Sequence, residues 1–146
     1  MTRPRPYVLV VDDVADAADS MAALLSHWGY DAEAWYCGAT ALAAARTRLP
    51  AAVLLDIGMA PMDGFTFAVF LRRLYWREST PVVAVTGHVT EACRARARGL
   101  GINHYLLKPA DPTLVRAMLD RLIGAPALPS VRADHRPRRG RVVAAG

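Results

Sequence analysis

The chain has 146 residues, 53% of them hydrophobic, and a formal net charge of +5 at pH 7. Such a length suits one domain that buries roughly two thirds of its unfolded surface, so no disulfide or metal staple is needed. The apolar run nearest the N-terminus spans residues 7–11 and then meets two aspartates, which excludes a signal peptide and a membrane span.

Short apolar runs alternate with longer, alanine-rich amphipathic stretches along most of the chain. In chain order this pattern predicts strands near 7–11, 32–36, 52–56, 82–86 and 104–107, each followed by a helix, near 15–28, 39–48, 65–74, 90–99 and 112–123. Runs that are apolar on both faces are typical of parallel strands joined by crossover helices. The sequence therefore predicts an α/β fold, a doubly wound parallel sheet of five βα units.

Several residues mark the expected helix ends. Gly29 has the position of a left-handed stop after the first helix, and Thr90-Glu91 and Asp111-Pro112 have the composition of an N-cap and a first turn. The two cysteines, Cys37 and Cys93, lack metal-ligand spacing and are expected to be small buried hydrophobes in a reducing cytoplasm.

The last segment of the chain differs from the rest. Up to Gly124 there are 13 basic and 12 acidic side chains, whereas beyond it five arginines accompany only Asp134. We therefore expect a domain at 6–124 and a basic, mostly disordered tail at 125–146. With no aromatic residue among its arginines, the tail favours a solvated linker or an arm for an acidic partner surface over specific nucleic-acid binding.

Polar residues that could take part in a reaction or bind an ion follow four of the predicted strands: Asp12 and Asp13, Asp56, Thr86, and Lys108. The carboxyl ends of parallel strands meet at one edge of the sheet, so these side chains are expected to lie together. Lys108 is the only lysine beside 17 arginines, which indicates a need for a compact ammonium facing phosphate or carboxylate. Each residue taken singly also fits an ordinary role, such as an N-cap for Asp12 or Asp13.

Three carboxylates at one edge of a sheet stay ionised only when a cation or a lysine compensates them. Magnesium is the natural cation, because it takes oxygen ligands and is commonly held by one or two carboxylates and a phosphate. Asp56 could then attack a phosphoryl group in line, while the metal and Lys108 neutralise the phosphoryl oxygens and Thr86 supplies a hydroxyl.

Over residues 6–124 the chain resembles the receiver domain of two-component response regulators. The matching motifs are Val-Val-Asp12-Asp13, Leu-Leu-Asp56-Ile-Gly-Met-Ala-Pro-Met-Asp63-Gly64, Ala-Val-Thr86-Gly87 and Leu-Leu-Lys108-Pro109. The resemblance implies a flavodoxin-like sheet of strand order 2-1-3-4-5. It also implies an output face formed by the fourth helix, the fifth strand and the fifth helix.

The same resemblance implies a role for each site residue. Asp56 would accept a phosphoryl group from a sensor histidine kinase or a phosphotransfer protein. Magnesium would be bound by Asp13, Asp56 and the backbone carbonyl of Gly58, with Asp12 acting through water. Thr86 and Lys108 would grip the phosphoryl group. The chain would be a phosphoacceptor and not an enzyme, with at most self-catalysed phosphorylation and dephosphorylation.

The aromatic residue Tyr105, three before the lysine, matches the family's switch residue, which turns inward when the threonine moves toward the phosphoryl group. A half-buried strand aromatic with no moving part is the alternative for Tyr105. Next to the acceptor, Gly58 offers no side chain to shield the phosphoryl group. His88 either positions water there or is a solvated loop imidazole.

One departure from the family pattern concerns the loop after Asp56. The family's proline lies four residues after the acceptor, but here position 60 is alanine and the proline is Pro61. Fixing φ one residue late could change how Gly58 presents its carbonyl to the metal.

The sequence leaves three kinds of function open. A phosphorylated receiver would act on a downstream protein target or relay its phosphate, since no effector is encoded in these residues, and homodimerisation through the output face is undecided. A phosphate-independent receiver-like binding module is the second kind. An aspartyl-phosphate phosphatase or phosphotransferase is the third, disfavoured because such enzymes place a second acid two residues after the nucleophile, where this chain has Gly58.

Overall fold

The computed structural model describes residues 4–75, 80–87 and 89–127. Five strands alternate with five helices in this part of the chain. In chain order they are β1 (Tyr7–Val11), α1 (Ala15–His27), β2 (Asp31–Trp35), α2 (Gly38–Thr47), β3 (Ala52–Asp56), α3 (Gly64–Leu74), β4 (Val82–Thr86), α4 (Glu91–Gly99), β5 (His104–Leu107) and α5 (Pro112–Ile123).

The five strands form one parallel sheet in the order β2-β1-β3-β4-β5. This confirms the predicted fold class and strand order. The order reverses direction at β1, which lies between β2 and β3, so a crevice opens there beyond the carboxyl ends of the strands. That crevice is where the predicted site residues were expected.

Most predicted boundaries agree with the structure to within one residue. The strands β1, β3, β4 and β5 begin and end where predicted, whereas β2 begins one residue earlier, at Asp31. Strands β1 and β3 are buried at every position, but β2 alternates between half-buried and buried residues because it lies at the edge of the sheet. Its first residue is fixed by pairing with Tyr7 of β1, which apolar patterning does not reveal.

The core has two layers, one on each face of the sheet. On one face, alternate strand residues such as Leu9, Val53 and Leu55 pack with buried residues of α2, α3 and α4. On the other face, Val8, Val10 and Leu54 pack with buried residues of α1 and α5. This division into two layers is the period-2 alternation of a strand buried on both faces.

The predicted helix ends are confirmed by their geometry. Thr90 caps α4 by accepting a hydrogen bond from the N–H of Cys93 at 3.1 Å, and Asp111 caps α5 by accepting from the N–H of Thr113 at 2.9 Å. Gly29 adopts a φ of 101° after α1, a backbone conformation that favours glycine. Both cysteines are only partly buried, so the prediction of buried thiols was too strong.

Helix α5 is held against the α1–β2 junction by a buried tyrosine. Tyr30 is fully buried, and its hydroxyl donates a hydrogen bond to Asp120 Oδ1 at 2.6 Å. After Gly124 the chain turns back to α1, since a Cβ placed on Gly29 would lie 3.0 Å from the carbonyl oxygen of Ala127. The described chain therefore ends beside the last turn of α1.

Within the described residues, no helix combines the length and the apolarity needed to cross a membrane. Residues 128–146, most of the predicted tail, lie outside the described part of the chain, so its disorder stays a prediction.

Candidate functional site

The predicted site residues come together at the carboxyl edge of the sheet. Asp12 directly follows β1, Asp56 is the last residue of β3, Thr86 is the last residue of β4, and Lys108 directly follows β5. Parallel pairing brings these strand ends side by side, so the site is a direct product of the strand order. The acidic residues and the lysine meet as the sequence predicted.

Three carboxylates form the centre of the site. Asp12, Asp13 and Asp56 each offer an oxygen, and these oxygens lie within 4.8 Å of one another. Asp12 and Asp56 are 8% and 7% exposed, whereas Asp13 is exposed to solvent. The cluster is therefore anchored in the protein on one side and open to water on the other.

The ammonium group of Lys108 bridges the two buried carboxylates. Lys108 Nζ lies 3.2 Å from Asp12 Oδ2 and 3.1 Å from Asp56 Oδ2. Its backbone N–H donates to the carbonyl oxygen of Thr86 at 2.9 Å, which extends the β4–β5 pairing and fixes the start of the side chain. Burial lowers the pKa of Lys108, but the hydrogen bonds to Asp56 and Asp12 outweigh it, so the pKa is raised.

Asp12 is held in place by the backbone around it. Its Oδ1 accepts a hydrogen bond from the N–H of Val14 at 2.9 Å, and its own N–H donates to the carbonyl oxygen of Trp35 at 3.0 Å. The N-cap of α1 is Val14, so the simple reading of Asp12 or Asp13 as the N-cap was wrong. Burial raises the pKa of Asp12, although the Val14 and Lys108 hydrogen bonds oppose this rise.

The loop after β3 orients the Asp56 carboxylate, which is 7% exposed. The N–H of Gly58 donates to Asp56 Oδ1 at 3.0 Å, and a Cβ placed on Gly58 would lie 3.6 Å from that oxygen. Gly58 therefore places no side chain of its own over that oxygen. The absence of a shielding side chain at Gly58, predicted from the sequence, agrees with this geometry.

Gly64, the first residue of α3, packs closely against the backbone at the end of β3. A Cβ at this position would lie 2.8 Å from Ile57 Cα and 2.9 Å from the carbonyl oxygen of Asp56, so only glycine fits without moving the backbone. The sequence analysis quoted Gly64 in a motif but gave it no role. A glycine inside a helical pattern was the signal available.

The displaced proline lies in the same loop. The Ala60–Pro61 peptide bond is cis, and so is the Lys108–Pro109 bond. Downstream of Pro61, Asp63 caps α3 by accepting a hydrogen bond from the N–H of Thr66 at 2.8 Å. This hydrogen bond lowers the pKa of Asp63.

Thr86 and Tyr105 line one narrow gap between β4, β5 and the start of α4. Tyr105 is half-buried and packs against the core layer under α2, α3 and α4. Its hydroxyl donates to the carbonyl oxygen of Ile102 at 3.1 Å. The two residues predicted to form a switch are therefore neighbours across this gap, whereas His88 lies outside the described residues.

The donor set fits a magnesium ion. Magnesium prefers hard oxygen ligands, retains several waters and is commonly bound through one or two carboxylates. The cluster offers buried carboxylates at Asp12 and Asp56 and an exposed one at Asp13. Among the described ion pairs, Lys108 supplies the one positive charge that contacts Asp12 and Asp56. One ammonium does not balance three carboxylates, so the site can accept a further cation.

Comparison with known sequences matches the part of the chain that carries this site. The family profile described as "Response regulator receiver domain" matches residues 8–120. An uncharacterised 14.6 kDa protein of Leptolyngbya boryana is 34% identical over 105 residues, covering 72% of this chain and 80% of that protein. The transcriptional regulatory protein ZraR of Salmonella typhimurium is 32% identical over 123 residues, covering 84% of this chain but 27% of ZraR.

A solved structure extends the comparison to three dimensions. The chemotaxis protein CheY4 of Vibrio cholerae superposes on the chain with a TM-score of 0.78 and 26% sequence identity. The superposition covers 82% of this chain and 99% of CheY4. The sheet, the helices and the site motifs are therefore those of a known class of signalling domain.

Proposed function

The chain belongs to the response regulator receiver domain family, and from this we propose that Asp56 accepts a phosphoryl group from a histidine kinase or a phosphotransfer protein. The observation that carries the proposal is the Lys108 ammonium, 3.1 Å from the Asp56 carboxylate, which lies in one cluster with Asp12 and Asp13. Receiver domains of this family interact with histidine kinases and with downstream effectors. We place the exchange in the cytoplasm.

In the proposed transfer, an Asp56 carboxylate oxygen attacks the phosphorus of a phosphohistidine. A phosphorus–oxygen bond forms as the phosphorus–nitrogen bond breaks, and the imidazole keeps the electron pair and takes up a proton. The Lys108 ammonium, already beside Asp56, donates to a phosphoryl oxygen and offsets the added charge. Thr86 supplies a hydroxyl from the neighbouring strand end.

We assign the metal site to Asp12, Asp13, Asp56 and the backbone carbonyl of Gly58. When bound there, magnesium would neutralise the carboxylates and the incoming phosphoryl oxygens. The residues themselves do the positioning: Val14 orients Asp12 and Gly58 orients Asp56, each through a backbone N–H. The one-residue shift of Pro61 leaves the Gly58 hydrogen bond to Asp56 in place.

The proposed output depends on Thr86 and Tyr105. When Thr86 turns toward a phosphoryl group, it leaves the gap that it shares with Tyr105, and the tyrosine can move further inward. That movement would change the surface formed by α4, β5 and α5, where a downstream protein or a second copy of the chain would bind. In this scheme the chain is a phosphoacceptor and not a turnover enzyme.

The decisive experiment uses acetyl phosphate as the phosphodonor, with and without magnesium. Intact-mass measurement should show a gain of one phosphoryl group that requires magnesium and disappears in Asp56→Asn. Asp111→Asn is the matched control, because Asp111 is an exposed aspartate whose capping role asparagine can retain. This control should be phosphorylated like the wild type.

The alternative is a phosphate-independent binding module. It would be favoured if the wild type gained no phosphoryl group under conditions that label a control receiver domain. The cluster of Asp12, Asp56 and Lys108 supports the phosphoacceptor instead, because a module that never met phosphate would gain nothing from holding two carboxylates against one ammonium.

A further inference from the structure

A groove runs from the site along α1, on the opposite side of the sheet from the Thr86–Tyr105 gap. It has a volume of about 570 Å³ and is lined mainly by apolar side chains. Its walls include Val14, Ala17, Met21 and Leu24 from α1, with Pro109 and Ala110 on the far side. We call this feature the α1 groove.

The composition of α1 explains the groove. Helix α1 lines the groove partly with the small side chains of Ala17 and Ser20. Small side chains leave space between α1 and the segment that leads into α5, and Val14 at the rim is 55% exposed. Exposed apolar surface next to a polar site is typical of a place where another segment docks.

The mouth of the groove is acidic. Asp12, Asp56 and Lys108 line it, while Asp13 and Asp16 are exposed beside it at the start of α1. Asp12 and Asp56 share the Lys108 ammonium, and Asp13 and Asp16 add further carboxylates at the surface, so a basic segment would be attracted to the mouth. The groove thus offers an apolar floor that ends in negative charge.

The end of the described chain lies beside the helix that forms the groove. Pro126 and Ala127 contact Gly29, directly after α1, where a Cβ would meet them at 3.0 to 3.2 Å. The sequence continues for 19 residues beyond Ala127, enough to reach ~60 Å when extended. Helix α1 has 13 residues and a length of about 20 Å, so the segment can pass its whole length.

The sequence of that segment complements the groove. Five arginines lie between Arg132 and Arg141, and the apolar stretch Val142-Val143-Ala144-Ala145 follows them. The arginines match the acidic mouth in charge, and the valines match the apolar wall. The sequence analysis predicted a solvated linker or an arm for an acidic partner surface, and the described part of the same chain also carries an acidic surface.

We propose that residues 128–146 dock along the α1 groove of their own chain, with the arginines at the acidic mouth and the terminal valines against α1. The proposal goes beyond phosphate acceptance and does not depend on it, because both partners are present in the unmodified chain.

Paramagnetic relaxation in the full-length chain tests this docking without metal or phosphodonor. A nitroxide is attached to Gly146→Cys in a chain that also carries Cys37→Ser and Cys93→Ser, and side-chain methyl signals are recorded. Two matched pairs give the comparison: Met21 and Leu24 line the α1 groove, whereas Met62 and Leu42 line a separate surface pocket between α2 and α3. The groove methyls should be broadened several-fold more than their partners.

Two variants identify the contacts. Replacing the five tail arginines by glutamine should relieve the broadening at Met21 and Leu24, as should raised salt. Ala17→Trp, which fills the groove, should relieve it as well, whereas Ala43→Trp in the α2–α3 pocket should not. Circular dichroism of both tryptophan variants confirms that they are folded.

Three outcomes would overturn the proposal. The first is equal broadening of the groove methyls and their partners, and the second is broadening that neither the arginine substitutions nor Ala17→Trp changes. The third is broadening of an isotope-labelled chain by a separate spin-labelled chain at the same total concentration, which would place the tail in the groove of a second copy.

Discussion

At the scale of single residues, Asp12 stands out because it is charged, 8% exposed and shares the ammonium of Lys108 with Asp56. Burial raises its pKa above the ordinary value. The Asp12 side chain is therefore most favourable to the metal-free fold at pH values below its ordinary pKa. There it is protonated in both the folded and the unfolded protein. This contribution is lost as the pH rises through the folded pKa.

Asp12→Asn should accordingly stabilise the metal-free protein at pH 7, by about 1 kcal/mol in the free energy of unfolding, because it removes a charge that the fold keeps for function. The gain should shrink as the pH falls toward 4. Urea unfolding at the two pH values measures both effects. Asp13→Asn is the control: Asp13 is exposed, so its replacement should change stability little. Equal gains in both variants would contradict this account.

The individual site residues could be predicted from the sequence because each follows an apolar run that a strand must bury. The bridge formed by Lys108 could not, since it depends on the distance between β1, β3 and β5 across the sheet. The capping alternative for Asp12 and Asp13 failed for a similar reason. Val14 is itself the N-cap of α1, and the Asp12 carboxylate accepts a hydrogen bond from the Val14 N–H, two residues further along the chain.

At the scale of elements, α3 meets the acceptor strand through Gly64. A methyl group there would lie 2.8 Å from Ile57 Cα, and backbone atoms cannot give way as a flexible side chain can. Gly64→Ala should therefore lower the free energy of unfolding by roughly 1–3 kcal/mol. It should also displace Asp56, whose carbonyl oxygen is the next atom in contact.

Gly99→Ala is the matched control for that substitution. Gly99 is also helical, at the end of α4, but a Cβ there would meet nothing within 4 Å. Alanine should leave stability unchanged or raise it by up to about 1 kcal/mol, because it restricts the unfolded chain. Thermal or urea denaturation of the two variants separates close packing from helix propensity.

The start of α3 depends on Asp63. Its carboxylate accepts from the N–H of Thr66, and this hydrogen bond lowers its pKa. Asp63→Ala should cost about 1 kcal/mol at pH 7, as expected for loss of an N-cap. Since the folded pKa is depressed, the contribution of the carboxylate is present above its ordinary pKa and is lost as the pH falls through the folded value.

Comparing wild type and Asp63→Ala by urea unfolding at pH 7 and near pH 3 tests this dependence. The difference between the two proteins should be largest at pH 7 and should narrow in acid. A difference that stayed constant across this range would mean that the carboxylate charge is not involved in the cap.

The ends of strands and helices were predicted best for strands that are buried along their whole length. Strands β1 and β3 are buried at every residue, and their apolar runs marked both ends. The edge strand β2 and the helices α2 and α3 were each displaced by one residue at their start, because their first residues, Asp31, Gly38 and Gly64, are fixed by register or by close approach. Neither cause is visible in hydrophobic periodicity.

At the scale of the whole molecule, Tyr30 joins the first part of the chain to the last. It is fully buried at the α1–β2 junction, and its hydroxyl donates to Asp120 of α5. Tyr30→Phe should lower the free energy of unfolding by about 1.5 kcal/mol, the usual loss for a hydrogen bond to a charged acceptor. Denaturant unfolding monitored by circular dichroism measures the change.

Tyr36→Phe provides the comparison for that deletion of a hydroxyl. Tyr36 donates to Asp19 of α1, but it is only half-buried, so water can replace the lost partner. Its replacement should cost less than that of Tyr30. A larger loss of stability in Tyr36→Phe would mean that the Tyr30–Asp120 hydrogen bond contributes less to stability than the Tyr36–Asp19 hydrogen bond.

The overall layout could be predicted because alternating strand and helix patterns allow few topologies. The α1 groove could not. The alanine-rich stretch predicted a helix at α1. The groove beside it forms only because α1 and the segment before α5 lie on the same face of the sheet. The long-range contact between Tyr30 and Asp120 has no local sequence signal either.

The hydrogen bond between the Asp12 N–H and the carbonyl oxygen of Trp35 has a practical consequence. It joins the acidic cluster directly to the strand end that carries an indole ring. The indole N–H of Trp35 is enclosed and has no hydrogen-bond partner among the described residues. Tryptophan emission can therefore be followed on ligand addition without any attached dye, with Trp35→Phe separating the signal of this indole from that of Trp28 and Trp76.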